Sequence, residues 1–182
     1  MNIVLTGFMA SGKSAISKAL RDKLPDYTLV DTDELIVDRM SMTINDIFEK
    51  FGESEFRRIE HEIICEVSKL NNTIISTGGG VVLNKDNIRE LRKKGIIVNL
   101  APDFETIKER LDNARSTRPL LKDSDINEIY ERFVSRLPFY ADCDIKIRVS
   151  NDHNPQYFAK NIIDSLELIQ KWMSSIWILY ME

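Results

Sequence analysis

Cysteine is scarce in this chain: of 182 residues only Cys65 and Cys143 are cysteines, and they form no C-x-x-C pair. The two histidines, His61 and His153, stand far apart without metal-ligand spacing, which argues against a structural zinc site. Thiols this sparse fit a reducing compartment better than a disulfide framework. No stretch approaches the roughly 20 apolar residues that span a bilayer. The start, MNIVLTGF, lacks the basic segment and long apolar run of a secretory signal. A cytoplasmic protein without stable membrane association is expected. Runs of five or more lysines and arginines are also missing, and the net charge is −4 with signs mixed, so no electrostatic nucleic-acid binder is expected. No internal repeat, low-complexity tract or linker divides the chain. Residues 1–182 read as a single domain, long enough to bury a sizeable core.

What is present is an alternation of two patterns. Strand-like runs recur at 2–6 (NIVLT), 28–31 (TLVD), 73–77 (TIIST), 96–100 (IIVNL) and 144–149 (DIKIRV). The first, third and fourth are short, β-branched and apolar without alternation, as strands buried on both faces are. Helical patterns lie between them at 13–23, 33–39, 44–51, 54–70, 85–94, 104–111 and 125–136. Strands alternating with helices imply an α/β domain: a mainly parallel sheet with right-handed crossovers, covered on both faces. The segment 113–125, NARSTRPLLKDSD, is polar and interrupted by Pro119. It reads as a loop of a length that is usually functional or disordered.

Residues 7–14, GFMASGKS, fit the phosphate-binding pattern G-x-x-x-x-G-K-[ST], between the first strand and a helix as that mechanism requires. A loop around two or three phosphates points backbone N–H groups inward, and Gly7 and Gly12 supply the backbone freedom. The helix that follows favours an anion at its N-terminus. Lys13 can reach the β- and γ-phosphates, and the Ser14 hydroxyl can ligate Mg²⁺. Ala10 falls at a position the pattern leaves free, and its methyl group costs nothing if the local φ is negative.

Four further clusters bear on the acceptor. Asp31 and Asp33 end the second strand, where strand ends face the ligand crevice, and they share a side if the strand continues through both. One could hold Mg²⁺ through water and the other take a hydroxyl proton. A helix cap is the plainer reading of Asp33. In IFEKFGESEFRRIEHE, residues 47–62, Arg57 and Glu60 are three apart on a helix and can touch, whether as a surface ion pair or in a site. Thr77–Val82, TGGGVV, follows a strand, either as a flexible turn or as backbone that approaches a ligand closely. Arg136 opens RLPFYADCD, which leads into the last strand.

Taken together, GFMASGKS, LVDTDELI, IFEKFGESEFRRIE, STGGGVVL, RSTRPLL and RLPFYADCD resemble the shikimate kinase family in order and spacing over roughly residues 2–150. The resemblance implies a nucleoside-monophosphate-kinase-like fold, with a five-stranded parallel sheet between helices. It implies transfer of the γ-phosphoryl group of ATP to the 3-hydroxyl of shikimate, a step toward aromatic amino acids. The implied nucleotide set is Gly7, Ala10, Ser11, Gly12, Lys13, Ser14 and Ala15, with Arg110 against adenine. Arg118 would be the arginine of a mobile lid at about 112–125 that reaches the phosphates. The implied Mg²⁺ contacts are Ser14 and, through water, Asp31. Asp33 would hold the shikimate hydroxyls and take the proton, while Arg57, Arg136 and Gly78, Gly79 and Gly80 grip its carboxylate. Glu60 would orient Arg57.

Other kinases of this fold, acting on gluconate or a nucleoside monophosphate, share the loop but do not call for Arg57 and Arg136 together with TGGG. A non-catalytic nucleotide-binding regulator would be expected to lose Lys13, an aspartate or Arg118, and the chain keeps all of them. The C-terminal segment departs from the family, whose members end about halfway along its apolar stripe. Phe158, Ile162, Leu166, Ile169, Met173, Ile176 and Tyr180 recur in steps of three and four, a helical stripe within an extension at about 156–180. Trp172, Trp177, Ile178 and Leu179 add more apolar surface than one stripe requires. Packing on the same domain, a contact between two copies and an amphipathic membrane contact all remain open, with a monomer expected and a homodimer through this helix as the alternative.

Overall fold

The computed structural model describes residues 1–117 and 125–179, with side chains for 1–113 and 125–172. The five strand-like runs form β1 (Asn2–Thr6), β2 (Thr28–Asp31), β3 (Thr73–Ser76), β4 (Gly95–Pro102) and β5 (Ile145–Val149), paired in parallel in the order β2-β3-β1-β4-β5. Every residue of β1 and β3 is buried, whereas the edge strand β5 alternates buried and exposed. That is why the central strands lack polar alternation and the last one shows it.

Helices cover both faces: α1 (Lys13–Lys23), α2 (Thr32–Met40), α3 (Ile44–Val67), α4 (Lys85–Arg92), α5 (Phe104–Thr117), α6 (Ile126–Tyr140) and α7 (Pro155–Leu179). On one face Ile3 and Leu5 of β1 pack with Ile16 and Leu20 of α1 and with Phe158 and Ile162 of α7. On the other, Val4 packs with Ile63 and Ile64 of α3 and Leu91 of α4. The period of two along β1 therefore feeds two cores. The chain leaves β1 across β3 to reach β2 and leaves β3 across β1 to reach β4, so the connections from these neighbouring strands run in opposite directions. A crevice opens at such a switch point, at the carboxyl ends of the strands.

Several local expectations change. The two helical patterns 44–51 and 54–70 form one element, opened by a Thr43–Asp46 capping box and kinked where Gly52 adopts φ 80. The loop expected at 113–125 is shorter, because α5 runs on to Thr117, and 118–124 lie outside the described residues. RLPFYADCD does not lead directly into a strand, since α6 continues through Pro138 to Tyr140. In the C-terminal stripe Phe158, Ile162 and Leu166 are buried and Ile169 packs against the same core, while Leu168 and Trp172 are each 67% exposed. The side chains of Met173, Ile176, Trp177, Ile178, Leu179 and Tyr180 lie outside the described residues.

Candidate active site

The loop from β1 to α1 is wound as phosphate binding requires. Gly12 is the N-cap of α1 at φ 99, and no side chain caps the helix, so its first N–H groups point at the crevice. The Ser11 N–H donates to the Phe8 carbonyl at 3.2 Å and closes a turn containing Ala10. Here the structure contradicts an expectation: Ala10 has φ 57, in the left-handed region. An L-residue with a Cβ pays about 1–2 kcal/mol there, so the methyl group is not neutral. Lys13 Nζ donates to the carbonyls of Gly7 at 2.6 Å and Phe8 at 3.0 Å. Burial pulls its ammonium down to about 8, against the opposing pull of Asp33 and then Asp31.

Asp31 and Asp33 come together by a different route from the one expected. The strand stops at Asp31, which serves as the N-cap of α2, its Oδ1 accepting the Asp33 N–H at 3.0 Å. Ser76 Oγ donates to the other oxygen, Oδ2, at 2.8 Å. The cap turn, rather than strand alternation, sets the two carboxylates side by side. Asp33 titrates above the usual carboxylate range because it is buried and Asp31 lies close; the Lys13 and Arg57 cations oppose this. Asp33 is thus within electrostatic reach of Lys13 on the phosphate loop and of Arg57 in the other half of the crevice.

That half is built on the three glycines. Arg57 Nη1 donates to both oxygens of Glu60, at 3.0 and 2.8 Å, and its Nε and Nη2 reach Glu53 Oε1 at 3.3 and 3.2 Å. Glu60 is 1% exposed, so the pair is no surface ion pair. Its carboxyl is pushed up by burial, against Arg57. A Cβ on Gly80 would lie 2.7 Å from Arg57 Cζ, and one on Gly78 would lie 2.5 Å from Asp33 Oδ1. These glycines therefore leave room for the two side chains and are not merely a flexible turn. The Gly78 N–H is taken by Thr32 Oγ1 at 3.1 Å. Among the described residues the N–H groups of Gly79 and Gly80 carry no such bond.

Arg136, on α6, reaches the Gly79 carbonyl at 3.5 Å, and its guanidinium lies 5.9 Å from the Phe8 ring centroid. One turn further on, Tyr140 donates to the same carbonyl at 2.5 Å, and burial pushes its hydroxyl up to about 12. Sequence reasoning missed Tyr140 as well as Glu53. The signal was the spacing of four from Arg136 and from Arg57, which places each pair on one helix face. Beyond the loop a cavity of about 260 Å³ opens between Gly12, Ala15, Ile16, Arg110, Val149 and Pro155. Arg110 donates from Nη1 to the Ala10 carbonyl of the phosphate loop at 2.9 Å, a contact not expected from the sequence, whereas Arg118 lies outside the described residues. Among the described residues, no three His, Cys, Asp or Glu side chains converge on a metal position, and no helix is long and apolar enough to cross a membrane.

A parallel sheet whose first strand runs into GFMASGKS at the switch point, with half-buried aspartates and arginines beside it, defines a P-loop phosphotransferase. The family model for shikimate kinase matches residues 9–167. A shikimate kinase of Caldicellulosiruptor bescii is 47% identical over 163 residues, which are 89% of this chain and 93% of that one. The crystal structure of shikimate kinase from Aquifex aeolicus has a TM-score of 0.76 at 34% identity, covering 92% of this chain and 96% of its own. For the shikimate kinase from Acinetobacter baumannii in complex with shikimate, the values are 0.79 at 30% identity, with 93% of each chain covered. The chain belongs to the shikimate kinase family and is an ATP-dependent kinase.

Proposed function

We propose that this site transfers the γ-phosphoryl group of ATP to the 3-hydroxyl of shikimate, with Asp33 between the two substrates. The observation that carries the reading is the position of Asp33, half-buried against Gly78, two residues from the Gly80 that packs on Arg57, and within electrostatic reach of Lys13. Gly7, Ala10, Ser11, Gly12, Ser14 and Ala15 wrap the phosphates, Lys13 neutralises the β- and γ-phosphates, and the face of Arg110 meets adenine. Arg57 and Arg136 bind the shikimate carboxylate through charge-assisted bonds, helped by the N–H groups of Gly79 and Gly80. Glu60 and Glu53 hold the Arg57 fork, and Gly78 leaves space for Asp33. The Asp33 carboxylate accepts hydrogen bonds from the shikimate hydroxyls and takes the proton of the 3-hydroxyl as that oxygen attacks phosphorus. Arg118 is assigned to the transferring phosphate, within a lid of about 112–125, on the sequence alone.

The residues present fit Mg²⁺. Asp31 offers a carboxylate whose oxygens each keep a second lone pair, and Ser14 a hydroxyl, an all-oxygen set suited to a hard cation. With no all-protein cluster among the described residues, the ion would be held jointly with the nucleotide phosphates, by Ser14 directly and Asp31 through water. Bound there, it would neutralise charge on the phosphates. A cytoplasmic monomer of one domain is the assembly this reading carries, with the α7 end as the place where two copies would meet.

A coupled ADP-release assay with shikimate, gluconate and CMP as acceptors tests the reading. Turnover is expected with shikimate alone. Turnover with gluconate or CMP and none with shikimate would overturn it.

A further inference from the structure

The strained alanine is tied to one arginine. Arg110 lies on α5, and its Nη1 donates to the Ala10 carbonyl at 2.9 Å. Its Nη2 donates to the Ser150 carbonyl at 3.1 Å and its Nε to Asn151 Oδ1 at 2.8 Å, while Asn151 Nδ2 returns to Glu109 Oε2 at 2.6 Å. Each of the three guanidinium nitrogens donates to a neutral oxygen. The three acceptors come from the phosphate loop and from the segment after β5. The guanidinium fastens these two segments to α5, and Arg110 lines the cavity with Gly12 and Pro155.

The partner on the loop is the residue with the unfavourable backbone. Ala10 sits at φ 57 inside the turn that Ser11 N–H closes on Phe8. Without an external bond to its carbonyl, that peptide would relax toward negative φ and turn neighbouring N–H groups away from the phosphates. We infer that Arg110 is a positioning residue for the phosphate loop, holding the Ala10 peptide in its left-handed state, in addition to any contact with a base. The geometry asks for a planar fork. A lysine would keep the charge yet reach only one of the three acceptors.

This inference rests on the reading of the loop as the triphosphate site, and a ligand without a base separates the two. Inorganic tripolyphosphate binding is measured by calorimetry for the wild type, Arg110→Lys, Ala10→Gly and the double variant, with shikimate affinity read on the same samples. Arg110→Lys is expected to weaken tripolyphosphate about tenfold, the loss of one charge-assisted bond, with shikimate affinity kept. In the Ala10→Gly background the same change is expected to cost several-fold less, because glycine adopts the left-handed state unaided. Unchanged tripolyphosphate affinity in Arg110→Lys would overturn the inference and leave Arg110 a base contact only. Equal losses in both backgrounds would overturn the route through Ala10, and equal losses of shikimate and tripolyphosphate would reveal general loosening and overturn it too. Should the wild type itself fail to bind tripolyphosphate, the nucleotide reading and this inference fall together.

Discussion

The Asp33 carboxylate occupies the space beside Gly78 so closely that a Cβ added to that glycine would lie 2.5 Å from Oδ1. Gly80 stands in the same relation to the Arg57 guanidinium. Alternate glycines of one tripeptide thus make room for the proposed base and for the proposed carboxylate anchor. Gly80→Ala is expected to displace Arg57 and raise the KM for shikimate at least about tenfold, the equivalent of one charge-assisted bond. The KM for ATP should stay within a factor of about two, since only shikimate binding is touched. Steady-state kinetics with each substrate varied in turn check both.

Glu60 holds Arg57 from the buried side. Glu60→Ala leaves that guanidinium with only Glu53, which is 64% exposed. Removing one partner of a buried pair costs 3–5 kcal/mol, but Arg57 is 24% exposed and solvent screens part of this. A loss of about 2 kcal/mol in urea unfolding is expected, together with weaker shikimate binding. Glu60→Gln should fall between the two in both measurements.

Lys13 gives the alkaline limit. Its ammonium, lowered to about 8 by burial, is the form that meets phosphate, and bound phosphates would raise its pKa again. Above pH 8 the free enzyme loses this proton, so ATP binding should take up a proton and weaken as pH rises. Calorimetry at pH 8.5 in buffers of different ionisation enthalpy is expected to show uptake. On the acid side, kcat should fall as pH drops through the Asp33 pKa, which lies above the usual carboxylate range.

Ala10→Gly should stabilise the protein. Glycine removes a left-handed cost of about 1–2 kcal/mol and adds about 0.5–1 kcal/mol of chain entropy to the unfolded state. The net gain expected lies between about 0 and 1.5 kcal/mol, read from the midpoint of denaturant unfolding at unchanged slope.

How far these features were legible in the sequence depends on how local their causes are. The buried strands and the GFMASGKS turn were readable because burial on two faces and a phosphate-binding loop each leave a pattern within a few residues. Asp31 and Asp33 were readable as a pair, but their cap geometry was not, since a strand end and a helix N-cap can carry the same residues. The φ of Ala10 escaped because its carbonyl is held by Arg110, one hundred positions away. The extent of α6 escaped because Pro138 reads as a terminator, although the helix continues past it to Tyr140 without the N–H bond that the ring removes. Tyr140 lies on that unrecognised turn.

The α7 end is separable from this account. Phe158, Ile162 and Leu166 anchor the helix, while Trp172 stands 67% exposed. Truncation after Lys171 is expected to leave kcat and the mass by light scattering unchanged at the monomer value. A halved mass would show that two copies meet there.

The central claim is that Asp33 joins the two halves of the site as the base. Its most direct test is the kcat of Asp33→Asn with shikimate at saturating ATP, alongside circular dichroism to verify folding. A fall of about 10²–10⁴ is predicted, the usual worth of a positioned general base. Turnover near that of the wild type in a correctly folded variant would contradict it.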